Sequence, residues 1–137
     1  MVAPIIENSR RLGILLAEDD DNIRVVTARI LGASGHEVFA ARDGAEAVAL
    51  FEQHHDHLDI AVLDFVMPKL TGKGVYDAIR AKEASFPVLF TTGYSPVDLE
   101  PLLESDINAA LLNKPYRATE LNEQIDTLIS KAGNSTS

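Results

Sequence analysis

The sequence predicts an α/β fold, a single doubly wound (βα)₅ domain around a five-stranded parallel sheet. Three observations carry that expectation. Five short apolar runs occur, Ile14–Ala17, Val38–Ala40, Ile60–Leu63, Val88–Phe90 and Ala109–Leu112, and none alternates with polar residues. Unbroken runs of this kind suit strands covered on both faces. The runs begin between about 20 and 30 residues apart, room for one strand and one crossover helix. The chain has 137 residues, a common size for one domain.

Between the runs the pattern turns helical. From Asn22 to Ala33, Ile23, Val26, Ile30 and Ala33 fall on one stripe, and Ser34-Gly35 stops it. Asp43-Gly44 opens a second helix with Ala47, Val48, Leu50 and Phe51 apolar and His54-His55 at its end. A third runs from about Lys73 to Ala84, with Val75, Ile79 and Tyr76 available for packing. The fourth is short, about Leu99 to Ser105, with Asp98 as its cap and Pro101 in the first turn, where proline is tolerated. The fifth spans about Ala118 to Lys131, with Leu121, Ile125, Leu128 and Ile129 on one face. Residues 1–11 and 133–137 are expected to be tails, leaving 12–132 as the domain and no residues for an output domain beyond the fifth helix.

Composition excludes several classes of function. With no cysteine there is no disulfide scaffold, thiol nucleophile, zinc ribbon or iron–sulfur site, which fits a cytoplasmic, reducing setting. Twelve basic and 21 acidic side chains give a net charge of −9. Such a balance opposes sequence-independent binding to nucleic acid and to anionic membranes. No apolar run approaches the roughly 20 residues that span a bilayer, and no signal peptide is expected at the Ile5-Ile6 pair.

The acids are placed. Glu18, Asp19, Asp20 and Asp21 directly follow the first run, and Asp64 directly follows the third. Ligands of open α/β sheets lie outside the carboxyl ends of strands, where strand order reverses. If strands one and three are neighbours there, Glu18, Asp19 and Asp64 converge. Their mutual repulsion would raise their pKa values unless a hard divalent cation, Mg²⁺ first, offsets it. Asp20 and Asp21 fit better as a helix cap and as charge favoured by the helix dipole. A flavin or dinucleotide site is excluded, because no glycine lies between Gly13 and Gly32 and four acids would repel a phosphate. Thr92 and Lys114 follow the fourth and fifth runs, where a hydroxyl and an ammonium could bind phosphoryl oxygens.

These residues, with ILLAEDDDNIR (14–24), LDFVMPKLTG (63–72), VLFTTGY (88–94) and NKPY (113–116), make the chain resemble the receiver domain of two-component response regulators. The likeness runs from about Leu12 to Ala132. It implies a flavodoxin-like strand order, 2-1-3-4-5, and a phosphoacceptor signalling domain rather than an enzyme. It further implies Asp64 as the residue phosphorylated and Mg²⁺ or Mn²⁺ held by Asp19, Asp64, the Val66 carbonyl and, through water, Glu18. Thr92 and Lys114 would bind the phosphoryl oxygens, and the Lys114–Pro115 peptide is expected to be cis. The implied donor is a phosphohistidine on a histidine kinase or histidine phosphotransfer protein. The implied contact for a downstream protein is the face of the fourth helix, fifth strand and fifth helix.

Two departures stand out. Leu111 occupies the place where many receivers carry a switching Tyr or Phe, and Gly93 follows Thr92 where Ala is common. Phe90-Thr91-Thr92-Gly93-Tyr94 resembles a subset found in stand-alone regulators and in hybrid kinases, and Tyr94 is expected to take over part of the coupling to the fourth helix. Val66 and Tyr94 carry no carboxylate or amide to orient water, so slow self-dephosphorylation is expected. His54, His55 and His57 with Asp56 fit a solvated helix end better than a transition-metal site, and His36 fits a turn entering the second strand. Two other functions compete: a Mg²⁺-dependent phosphohydrolase with an aspartyl nucleophile, which leaves Asp64 unexplained, and a phosphate-independent interaction module.

Overall fold

A computed structural model describes residues 11–67, 69–93 and 99–135. Five strands, β1 (Gly13–Ala17), β2 (Glu37–Ala41), β3 (Ile60–Asp64), β4 (Val88–Thr92) and β5 (Ala109–Asn113), alternate with helices α1 (Asp21–Ala33), α2 (Gly44–His54), α3 (Gly72–Lys82), α4 (Leu99–Ser105) and α5 (Ala118–Ser135). All neighbouring strands are parallel, in the expected order β2-β1-β3-β4-β5. Every residue of β1, β3 and β4 is buried, whereas the edge strands β2 and β5 are partly open. Unbroken apolar sequence therefore marks the strands with a layer on each face.

The sheet divides the core. Leu15, Ala17, Leu63 and Phe90 meet Phe51, Val75, Ile79 and Leu99 on the side of α2, α3 and α4. Ile14, Leu16, Val62 and Leu89 meet Leu31, Leu121, Ile125 and Leu128 on the side of α1 and α5. The α1 stripe differs from the expected one. Thr27 and Leu31 are its buried residues, while Val26 is 55% exposed and Ala33 is exposed. The apolar face of α1 is wider than its contact with the sheet, so Ile23, Val26 and Ile30 are left on a flank. At the other end of the chain, α5 runs to Ser135, into the segment expected to be a tail. Tyr94, the Asp98 cap, Pro68 and most of the 1–11 tail lie outside the described residues.

Helix starts follow their cap residues. The carboxylates of Asp20 and Asp43 and the hydroxyl of Thr71 accept the N–H of Ile23, Glu46 and Gly74, each meeting a donor that has no partner within its helix. The loop from β3 to α3 is pressed against α2: a Cβ on Gly44 would lie 1.9 Å from the Leu70 carbonyl oxygen, and one on Gly72 2.5 Å from that of Asp64. Lys69, at φ 69°, pairs with Asp43 at 3.5 Å.

The amino-terminal ends of β4 and β5 are clasped by α3. Arg80 pairs with Asp106 at 2.8 Å and donates to the Phe86 carbonyl at 2.6 Å. Tyr76 donates to the same Asp106 carboxylate at 2.5 Å, and its ring lies 5.6 Å from that of Phe90. Asp106 stays below the usual carboxylate range, because burial is outweighed by the Tyr76, Arg80 and Asn108 hydrogen bonds. The histidines near α2 have structural partners: His55 pairs with Glu83 at 2.6 Å and His54 packs on Phe39. His36 accepts the Leu12 N–H through Nδ1 at 3.1 Å.

Two glycines of similar helical setting should respond in opposite ways. Gly44→Ala drives a Cβ into backbone and should cost about 1–3 kcal/mol. Gly32→Ala meets nothing within 4 Å and should gain about 0.4–1 kcal/mol by restricting the unfolded chain. Urea unfolding of the two variants checks both signs.

Candidate functional site

The carboxyl ends of β1 and β3 are adjacent, with Ala17 opposite Leu63. The next residues, Glu18 and Asp19 after β1 and Asp64 at the last position of β3, therefore emerge together. One carboxylate oxygen from each lies within 4.8 Å of the others. Glu18 and Asp64 are 2% and 5% exposed, and Asp19 is open to solvent. Asp20 and Asp21 turn away as expected, Asp20 capping α1 and Asp21 pairing with Arg24.

Lys114 reaches this cluster from the end of β5. Its ammonium lies 2.7 Å from Glu18 Oε1 and 3.4 Å from Asp64 Oδ2. Its own N–H donates to the Thr92 carbonyl at 2.7 Å, which ties the end of β5 to that of β4. The Lys114–Pro115 peptide is cis. Thr92 is 1% exposed at the end of β4. The Val66 N–H approaches Asp64 Oδ1 at 3.4 Å, and the Val66 side chain is 48% exposed.

Charge sets the chemistry of this crevice. Burial, and then the Glu18 carboxylate, push Asp64 up to about 7, although Lys114 pulls the other way. Burial opposes the Lys114 ammonium, but its Glu18 hydrogen bond and Asp64 outweigh it and raise its pKa. Three carboxylates face one ammonium, so the cluster carries excess negative charge when ionised. The donors are all hard oxygens close together, a set that fits a hard divalent cation.

Two contacts here were not singled out from the sequence. Arg24 donates to the Glu18 carbonyl at 3.0 Å and to Asp21 at 2.5 Å, fixing the turn after β1. Its spacing of three from Asp21 on a helix was the available signal. Tyr116 bonds Thr27 of α1 at 2.8 Å, a pairing across 89 residues that no local pattern announces.

Residues 14–126 match the response regulator receiver domain family. The chain belongs to that family. This receiver is 36% identical over 124 residues to the probable transcriptional regulator ycf27 of Cyanophora paradoxa, a match covering 90% of this chain and 50% of that protein. It is 29% identical over 118 residues to the sensor kinase CckA of Brucella abortus, covering 86% and 12%. The solved receiver domain of the hybrid histidine kinase CckA is 31% identical, with a TM-score of 0.72 over 85% of this chain and 98% of that one. A CheY-like receiver from Methanospirillum hungatei shares the fold at a TM-score of 0.81 and 23% identity, over 92% and 99% of the two chains. The receiver spans about half the length of the ycf27 relatives it matches. It is the receiver module of two-component signalling, a family of phosphoacceptor signalling domains with an acidic pocket. Among the described residues no helix is long and apolar enough to cross a membrane.

The raised Asp64 pKa carries a sign. The folded-state value of about 7 exceeds the ordinary 3.8, so between those pH values the folded protein holds a proton that the unfolded chain has lost. Stability from this group therefore falls as pH rises from about 4 to 7, and ionised Asp64 is a net penalty above that. With chelator present, Asp64→Asn should raise Tm at pH 8 by at least about 3 °C, and the advantage should shrink towards pH 4. Thermal melts across that range check it.

Proposed function

We propose that this receiver takes a phosphoryl group onto Asp64, in a Mg²⁺- or Mn²⁺-dependent reaction, from a phosphohistidine on a histidine kinase or histidine phosphotransfer protein. The observation that carries the reading is the convergence of Glu18, Asp19 and Asp64 around Lys114 at the carboxyl ends of the strands. Asp19, Asp64 and the Val66 carbonyl would hold the metal, and Glu18 would act through its water. When bound, the metal neutralises charge on the phosphoryl oxygens, so that an anionic donor can approach an anionic nucleophile.

The chain's own groups do the rest. An Asp64 oxygen forms the bond to phosphorus while the bond from phosphorus to the donor imidazole breaks, and that nitrogen regains a proton. Lys114 moves from the carboxylates to a phosphoryl oxygen, and the Thr92 hydroxyl donates to another. Because both sit at strand ends tied by the Lys114 N–H, their movement reaches β4 and β5 together. The unit that responds is residues 12–132, and the face of α4, β5 and α5 presents the change to a downstream protein. The setting is cytoplasmic.

A groove of about 480 Å³, lined by Ile23, Val26, Ile30, Pro115 and Tyr116, opens beside Lys114 itself. It gives a phosphohistidine-bearing donor an apolar contact next to the acceptor.

Incubation with acetyl phosphate and Mg²⁺ tests this by intact mass. Wild type should gain one phosphoryl group, and Asp64→Asn or added chelator should abolish the gain. Turnover of acetyl phosphate without retained label would make the protein a phosphohydrolase, and no label would leave an interaction module. With Val66 supplying no group to orient water, the label should persist for minutes or longer after donor removal. A lifetime of seconds would overturn that expectation.

A further inference from the structure

We infer that Tyr116 is a positioning residue, whose hydroxyl bond to Thr27 of α1 fixes the turn that aims Lys114 at Glu18 and Asp64. The inference rests on the proposed phosphoryl transfer to Asp64 and adds a residue to it.

Lys114 has a long way to reach. It leaves β5, which is separated by β4 from β3, the strand that carries Asp64, and by β4 and β3 from β1, which leads into Glu18. A lysine stem has four carbons and many rotamers, and holding it in one arrangement is entropically costly. Its backbone N–H is tied to Thr92 on one side. On the other side, two residues on, the Tyr116 ring packs on the core beneath α1 and α5, and its hydroxyl meets Thr27 Oγ1 at 2.8 Å. The turn carrying Lys114 is thus pinned at both ends.

The second pin is on a telling element. Thr27 is the one polar residue among the buried positions of α1 and is 2% exposed. Three residues earlier on the same helix, Arg24 donates to the Glu18 carbonyl. Residues three apart on a helix share a face. One face of α1 therefore fixes both partners of the Lys114–Glu18 pair, Glu18 through Arg24 and Lys114 through Thr27 and Tyr116. Burial raises the Tyr116 pKa, so its hydroxyl keeps its proton and the bond at neutral pH. Core filling does not require this bond. Valine has the shape of threonine and phenylalanine that of tyrosine, so an apolar pair would pack the same space.

That equivalence supplies the experiment. Replacing both partners leaves no orphaned hydroxyl and is close to neutral for stability, so Thr27→Val with Tyr116→Phe keeps the fold and deletes the bond. The labelling rate from acetyl phosphate at saturating Mg²⁺ is compared in four proteins: wild type, the double variant, Lys114→Ala, and all three changes together. With Lys114 present, the double variant should label about tenfold more slowly, the scale of one lost hydrogen bond. On the Lys114→Ala background it should change nothing, and on either background the Thr27 and Tyr116 changes should leave Mg²⁺ affinity and Tm where they were before them. Equal slowing on both backgrounds, or none with Lys114 present, overturns the inference. If wild type takes no label, the proposed function fails, and the inference is read instead from the isotope-labelled Lys114 side-chain nitrogen. Its resonance should lose the signature of a held ion pair in the double variant, and an unchanged resonance overturns the inference.

Discussion

Two buried carboxylates, Glu18 and Asp64, are held on one ammonium, Lys114, at distances of 2.7 and 3.4 Å. Charge taken out of water is costly unless it is paired, and this arrangement pairs it incompletely. Much of the architecture follows from keeping those three groups together. The strands must be parallel, so that β1, β3 and β5 all finish on one edge. They must also be ordered with β1 beside β3, so that the turn after β1 and the last residue of β3 meet. Burial first, and then the Glu18 carboxylate that Lys114 does not fully offset, push Asp64 up to about 7. The site is electrostatically loaded by the fold itself and open to relief by cation or proton.

The loops around the crevice owe their shape to contacts made elsewhere. The segment after Asp64 is shaped by Gly44 and Gly72, which let the Leu70 and Asp64 carbonyls approach helix backbone, and by Lys69 reaching Asp43. The turn after β1 is shaped by Asp20 capping α1 and by Arg24 on the Glu18 carbonyl. None of these groups carries chemistry. They convert a strand end, whose direction the sheet decides, into side-chain positions held within hydrogen-bonding range.

The strands and the acid cluster were legible in the sequence because each is signalled within a few residues. Buried central strands require unbroken apolar runs, and acids directly after two of them point to one crevice once the strand order is known. Even α4 kept its expected limits, Leu99–Ser105, since proline fits only near a helix start. What stayed hidden depends on partners far along the chain. The buried face of α1 was misjudged because an apolar stripe tells that a helix is amphipathic, not how much of the stripe a neighbour covers. His55 looked solvated until α3 brought Glu83 to it. The Thr27–Tyr116 bond joins two residues that are each ordinary alone. Residues 133–137 were expected to be a tail, but α5 continues to Ser135.

The Arg80 clasp bears on how the sheet can move. Asp106, the Phe86 carbonyl and Tyr76 are gathered by one guanidinium and one carboxylate at the base of β4 and β5. At the opposite edge, Thr92 leads into Gly93, and a Cβ there would touch nothing within 4 Å. Those two strands are mounted like a cantilever, anchored at the root by the Arg80 clasp and coupled to each other at the tip through the Lys114 N–H and the Thr92 carbonyl. A load applied at Thr92 and Lys114 bends the tip most and the root least, so displacement is delivered at the rim of the domain while the root keeps its registration.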